Sequence, residues 1–470
     1  MAEKKREFNR VMNLLDVLVT AFGAMIGWGW VVSSGSWIQN AGVIGTVIGF
    51  VIGGVLIFFV GVTYAELTPA MPKVGGEHVF CYKAFGATGA YICTWAHILS
   101  YIGVVCFEAV SLPAIIQYIF PSFAKGYLYT VAGSEVYLSG VVVAALCTIG
   151  IVVINVFGIK AASIFQTVLT VTIAVVGVLL VVASAINGEA TNLEGQAVIG
   201  EGIGSIKNIL SVAVVAPFFL FGFDVIPQVA EEINIPLKKI AKVLLLSIVC
   251  AVAFYGLVVF AVGYALNSKE IANAMEGAGL VTASAMEKVF NSAVMAKVLI
   301  VGGLCGVITS WNSFLIGGSR LIFAMAETRM IPEKFAELNK SYKTPVNALL
   351  LSGFLSLAAP FFGRTMLVWI SNAASFACCI AYCIVAMAFL VLRKKEPQLQ
   401  RPYRVKHYRF VGISAVILSG LMVVLYLIPG SGSSLNIQEW VIVGGWALLG
   451  LVFYLYCKAF YKGQFGQIRE

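Results

Sequence analysis

The sequence predicts an all-α polytopic membrane protein of 12 transmembrane helices: a 5+5 inverted repeat with broken helices 1 and 6, plus two C-terminal helices. Three observations predict it. First, 60% of the 470 residues are hydrophobic, only 11% are charged, and the mean hydropathy is +0.95. A soluble domain cannot hide that much apolar surface. Second, twelve segments reach the roughly 20 apolar residues that a helix needs to cross a bilayer: 13–38, 42–68, 86–118, 136–156, 160–186, 206–230, 240–266, 297–326, 346–362, 365–392, 410–428 and 438–458. They are too long and too uniformly apolar for barrel strands, which alternate over about 10 residues. Third, glycine-rich interruptions fall in segments one and six, five apart, the spacing of an inverted repeat with two appended helices.

This reading divides the chain into an N-terminal segment 1–12, a first repeat 13–186, a second repeat 206–392, a basic loop 393–409, the last two spans 410–458 and a tail 459–470. The net charge of +9 belongs to topology rather than to nucleic-acid binding. With loops assigned alternately from a cytoplasmic N-terminus, 24 Lys and Arg fall inside and 6 outside. That asymmetry follows the positive-inside rule and puts both termini in the cytoplasm of a multi-pass cell-membrane protein. The first segment is longer than a signal-peptide core and carries its small residues inside the apolar run, so it is expected to stay. Ten cysteines lie mostly within spans with no Cys-x-x-Cys pair, a pattern of small core residues rather than of metal or disulfide frameworks.

The first span holds Gly23, Gly27 and Gly29 within seven residues, followed by Trp28 and Trp30 on either side of the last. Each glycine costs a helix roughly 1 kcal/mol against alanine. A break in hydrocarbon is tolerated only where the bared backbone faces protein or a cavity. There it offers free N–H groups to an anion and free C=O groups to a cation. The second span closes at Pro69, a helix stop. The third carries His97 and Glu108, and ends before Pro121. The sixth reads Phe218-Phe219-Leu220-Phe221-Gly222-Phe223-Asp224 and leaves through Glu231, Glu232 and Pro236. A stretch at 267–296 is expected to be external and amphipathic. The eighth carries Thr309, Ser310, Asn312, Ser313 and Arg320. The last two spans have no break and no ionisable residue in their cores.

Several motifs then coincide in order. Ile26-Gly27-Trp28-Gly29 stands in the first span and Pro72-x-x-Gly75-Gly76 in the following loop. Phe221-Gly222-Phe223-Asp224 with Glu231, Glu232 and Pro236 occupies the sixth. Ser319-Arg320 with Ala324-Met325 lies in the eighth, and Arg401-Pro402-Tyr403 in the basic loop. Each is weak alone. Together they resemble the amino acid–polyamine–organocation (APC) superfamily of permeases, of the amino acid permease type, over spans one to ten and beyond. The resemblance implies a LeuT-like fold with a small-molecule substrate at the midplane. Three positions depart from the family pattern: Trp28 replaces a small residue, His78 follows the Gly-Gly pair where an aromatic is usual, and Ile173 stands where many relatives carry a lysine in place of sodium.

On that resemblance, the amides of Gly27, Trp28 and Gly29 receive a substrate carboxylate. Carbonyls of Ala24, Met25, Phe218 and Phe221 receive its ammonium, with Ile26 and Gly222 completing the two breaks. Trp28 and Trp30 either narrow the pocket or anchor at the interface. Phe218, Phe221 and Phe223 either gate it or pack the core. Asp224 either gates or caps the broken backbone. Glu108 has three readings: partner of a substrate cation, proton carrier, or partner of an interhelical donor. His97 reads as a core or interface histidine rather than a relay. Thr309, Ser310, Asn312 and Ser313 either complete a sodium site with first-helix carbonyls or bond between helices. Arg320 is expected to pair with Glu231 or Glu232. The function read from all this is secondary active transport of an amino acid or related amine, with Na+ or H+ as coupling ion and no other cofactor. The alternatives are a polyamine or organic-amine exchanger, or a transport subunit needing a partner. A homo-oligomer is compatible with either. No convergent catalytic set and no phosphate loop is present, so an enzyme or a primary pump is not expected.

Overall fold

The computed structural model describes residues 8–276, 280–429 and 434–467. Lys4, Lys5, Arg6 and Arg469, which enter the charge asymmetry, lie outside the described residues. The first apolar segment is three pieces: α1 (Leu14–Met25), α2 (Gly29–Val32) and α3 (Ser34–Ala41). α1 starts on a capping box, where Asn13 Oδ1 accepts from the amides of Leu15 and Asp16 while Asp16 Oδ2 accepts from the Asn13 amide. It ends at the glycines, as their propensity requires. Two long helices follow, α4 (Val43–Ala70) and α5 (Glu77–Ile119).

A two-stranded hairpin, β1 (Tyr127–Val131) and β2 (Ser134–Tyr137), is an element the all-helical expectation does not contain. Ala132 and Gly133 both have positive φ (48° and 80°), the signature of a tight hairpin turn, and they sit between spans. Then come α6 (Leu138–Val156), α7 (Ile159–Asn187), and the sixth segment as α8 (Ile203–Phe219) and α9 (Val225–Gln228). α10 (Leu237–Ala265) precedes two short helices, α11 (Ser268–Glu276) and α12 (Val281–Phe290), in the stretch expected to be amphipathic. The chain finishes with α13 (Ala293–Glu327), α14 (Val346–Ala358), α15 (Thr365–Lys395), α16 (Tyr408–Leu427) and α17 (Ile437–Phe460).

Among the described residues, nine helices are long and apolar enough to cross a membrane, and three shorter apolar helices occupy the first, sixth and ninth segments. The shortness of α1 and α8 is the direct consequence of their breaks. α5 is central: 78% of its most apolar window is buried, against 11% for α17. α5 packs on α13 and α15, and α4 on α8 and α10. Close approach in the second contact depends on Gly49 and Gly53, where a Cβ would collide with Val212 and Ala216.

α5 itself folds back near its start. Gly86 sits at φ 76°, ψ −169°, a region that only glycine occupies readily. Nothing lies within 4 Å of where its Cβ would be, so the requirement is conformational and not steric. Without the bend, Glu77 and His97 would stand about 30 Å apart at the helical rise. With it they are 3.4 Å apart. Gly86→Ala is therefore expected to destabilise the protein by roughly 1–3 kcal/mol, read as a lower melting midpoint in detergent. An unchanged midpoint would show that the bend is not under backbone strain.

Candidate functional site

The two breaks face each other across a cavity of about 240 Å³. α1 contributes Ala24 and Met25, and the unwound turn contributes Gly27, Trp28 and Gly29. α8 and its break supply Phe218, Phe219 and Phe221, α5 supplies Gly103, Phe107 and Glu108, and α13 supplies Ser310 and Phe314. The structure thus brings together eight of the eleven predicted substrate residues. Ile26, Gly222 and Asp224 do not line the cavity. Gly222 has φ 133°, and a Cβ there would collide with Ala24 and the Met25 amide, so it joins the two broken segments rather than the ligand space.

The glycines of the first break each have a steric reason. A Cβ on Gly27 would sit 3.0 Å from Glu108 Oε1, and one on Gly29 would strike the Phe219 ring. Trp28 lines the cavity, whereas Trp30 is fully buried edge-on to Phe254, which leaves it no interfacial role. The wall is aromatic: Phe107 meets Phe218, Phe218 meets Phe219 and Phe221, and Phe219 meets Tyr255. Two residues of this wall, Tyr255 and Phe107, carry no sequence signal, since each is one aromatic in a long apolar run. Tyr255 from α10 donates its hydroxyl to the Met25 carbonyl at 3.0 Å, tying the first break to the second half of the chain.

Glu108 is 3% exposed and lies in this apolar setting. Ser310 stands beside its carboxyl across Gly27, and Oε2 has no hydrogen-bond partner. A buried polar atom without a partner in a cavity wall is a place where a ligand donor fits.

The eighth-segment polar residues separate. Ser313 Oγ donates to the Thr20 carbonyl at 2.9 Å, and Thr309 Oγ1 to the Gly23 carbonyl at 3.2 Å. Asn312 faces the other way, accepting from Asn155 at 2.7 Å and donating to Gln166 Oε1 at 2.8 Å. Ser310 belongs to the cavity. Arg320 pairs with Glu232, not Glu231: Nε reaches Oε1 at 2.9 Å and an Nη reaches Oε2 at 3.1 Å, with both side chains buried.

Asp224 sits at the edge of the sixth break, away from the cavity. Its Oδ1 accepts from the Gly222 amide at 2.8 Å, so it does cap the broken backbone. Its Oδ2 meets His97 Nε2 at 2.6 Å and accepts from the Tyr101 hydroxyl at 2.8 Å. His97 is therefore not a simple core histidine. Sequence spacing alone does not disclose this contact, because its partners lie 20 and 127 residues away.

The family profile described as amino acid permease matches residues 12–452. Relatives include a methylthioribose transporter of Bacillus subtilis (strain 168), 24% identical over 460 residues, covering 97% of this chain and 95% of that protein. A branched-chain amino acid permease of the same organism is 24% identical over 463 residues, covering 96% and 93%. A serine/threonine exchanger, again from that organism, is 24% identical over 409 residues, covering 86% and 88%. All three are named for transport and none for catalysis.

Proposed function

The chain belongs to the amino acid permease family of the APC superfamily, and from that premise we propose a secondary transporter that moves an amino acid or related amine by alternating access. In this reading α1, α8 and α14 complete twelve crossings in a LeuT-like arrangement. Segments one to five and six to ten form the inverted halves, and both termini are cytoplasmic. The observation that carries the reading is the cavity between two broken segments, walled by glycine backbone on one side and aromatics on the other. Broken helices meeting at a cavity are the binding device of such carriers. The amides of Gly27–Gly29 would take a carboxylate, and the Met25 and Phe218 carbonyls an ammonium.

Gly27→Leu and Gly29→Leu are expected to abolish uptake in proteoliposomes while the protein stays monodisperse in detergent. The new side chains would displace Glu108 and Phe219, both of which line the cavity. Aggregation of both variants would mean that the glycines serve helix packing. Ligand identity is read by thermal shift against amino acids and amines, in sodium and in potassium, at two pH values.

One observation supports a sodium site as a second element of this reading. The Ser313 and Thr309 hydroxyls of α13 bond the carbonyls of Thr20 and Gly23 of α1, oxygens of the hard kind that such a cation prefers. Asn312 falls outside that set. Ser313→Ala then removes sodium-dependent uptake. Equal uptake in sodium and potassium, unchanged by the substitution, sinks the sodium reading.

A further inference from the structure

Beside the cavity, and not part of its lining, lies a buried chain of three ionisable side chains: Glu77, His97 and Asp224, each with 0% side-chain exposure. His97 stands between the carboxylates, with Nε2 2.6 Å from Asp224 Oδ2 and Nδ1 3.4 Å from Glu77 Oε1. No lysine or arginine is ion-paired with any of the three among the described residues. The groups facing them from neighbouring helices are Tyr64 of α4, Tyr101 and Cys93 of α5, and Tyr382 and Cys378 of α15. Gln228 of α9 completes the shell, and Phe314 of α13 stands behind Tyr101. None of these supplies a fixed positive charge.

The charge count follows. Two carboxylates and an imidazole hold zero net charge only when two protons are shared among them. With one proton, an imidazolium between two carboxylates, the cluster is −1. A net charge within a membrane-embedded protein costs several kcal/mol unless water reaches it. The neutral cluster therefore suits a closed, dry arrangement, and the −1 cluster suits one open to solution.

The cluster also holds the moving parts. Asp224 Oδ1 fixes the Gly222 amide inside the sixth break. Gln228 donates to Glu77 and also to the Asp224 carbonyl. The Gly75 amide donates to the Gln228 carbonyl, joining the loop before α5 to α9.

We infer that Glu77, His97 and Asp224 form a single proton-binding site that couples proton entry to closure of α9 against the start of α5. The proton is thus a transported ion of this carrier. One proton from the outer solution neutralises the cluster and lets the dry state form. The same proton leaves to the opposite solution when α9 parts from Gly75 and Gly76 and water reaches Glu77. This rests on the transporter reading above, and it places the ion away from Glu108 and from the Ser313 hydroxyl.

The test uses the full chain in two measurements. In the first, proteoliposomes loaded with a pH-sensitive dye receive an equimolar mixture of the twenty protein amino acids plus putrescine. Wild type should acidify the lumen. Glu77→Gln and His97→Gln should keep one-for-one exchange of the labelled mixture but lose accumulation driven by a pH gradient by about tenfold or more. The second measurement needs no transport: infrared difference spectra of purified protein between about pH 5 and pH 8, where imidazole-linked sites exchange protons. A protonated-carboxyl band should appear in wild type, lose intensity in Glu77→Gln, change in His97→Gln and persist in Glu108→Gln. Tyr101→Phe, which removes one donor to Asp224 and little volume, should move the titration midpoint, and it serves if the other variants fail to fold. Gradient-driven accumulation equal to wild type in both Gln variants overturns the inference, as does an infrared titration indifferent to Glu77, His97 and Tyr101. If wild type moves none of the mixture, the transport reading fails, and the infrared experiment still decides the proton site.

Discussion

Glu108→Gln is expected to weaken binding of lysine and putrescine more than tenfold and to leave leucine binding unchanged. The carboxyl sits in the cavity wall beside Gly27 and Ser310, with Oε2 unpartnered. The surroundings are Phe107, Phe218, Phe219 and Tyr255, which offer no competing cation. Glutamine keeps the shape and the hydrogen-bonding capacity and removes only the charge. Truncating one side of a desolvated charge pair costs about 2–5 kcal/mol, and each 1.4 kcal/mol is a factor of ten in affinity. The aromatic wall adds attraction for a cation over its ring faces. Calorimetric titration of the three ligands at several pH values separates the readings. Loss confined to the cationic ligands assigns Glu108 to substrate selection. Loss of pH dependence with exchange intact makes it a second proton carrier. No change in either leaves it with a structural role between helices.

The cavity was legible in sequence where backbone chemistry announces itself. Clustered glycines in an apolar run have few explanations, so Gly27, Gly29 and the sixth-segment break stood out, and the structure places both breaks at one cavity. A carboxylate in an apolar run is equally conspicuous, and Glu108 and Asp224 are such carboxylates. What each does there was not legible. Asp224 and Glu108 are alike in sequence context, yet one lines the cavity and the other bonds His97 behind it. The difference is set by rotation of the chain after the break, and no periodicity encodes that.

Long-range pairings were the other blind spot. Helix positions three or four apart can be placed on one face from spacing alone. Glu77 and His97 meet only because Gly86 turns the chain back, and a single glycine in a helical run does not advertise a reversal. Asn312 stands next to Ser313 in sequence, and adjacency suggests a shared site. Adjacent residues on a helix point about 100° apart, and the structure sends Asn312 to Asn155 and Gln166 while Ser313 goes to α1. Tyr255 and Phe107 look like any aromatic that fills a membrane core, and only the cavity distinguishes them.

Arg320→Met alone is expected to destabilise the closed packing around the first segment by about 3–5 kcal/mol. Arg320 is fully buried and forks onto both oxygens of Glu232, with a further nitrogen on Ser319 Oγ at 3.0 Å. Removing it strands a carboxylate with no water. The same strip of chain carries the backbone contacts that fasten the start of the protein. The Glu232 carbonyl accepts from the amides of Val11 and Met12, and the Asn234 amide donates to the Met12 carbonyl. Phe8 lies against Phe323, 6.0 Å from the guanidinium. A loss of that size, at a factor of ten per 1.4 kcal/mol, raises local opening by roughly a hundredfold or more. Hydrogen–deuterium exchange should therefore quicken at Val11, Met12 and Asn234 while the amides of α17 exchange as before. The paired replacement Arg320→Met with Glu232→Leu removes both charges at similar volume, so it should restore most of the protection. If the pair is a gate that must open in each cycle, this doubly apolar variant should be as stable as wild type, yet slower in uptake, because no charge remains to be hydrated on opening. If it turns over at the wild-type rate, the ion pair is a structural clamp and the opening lies elsewhere.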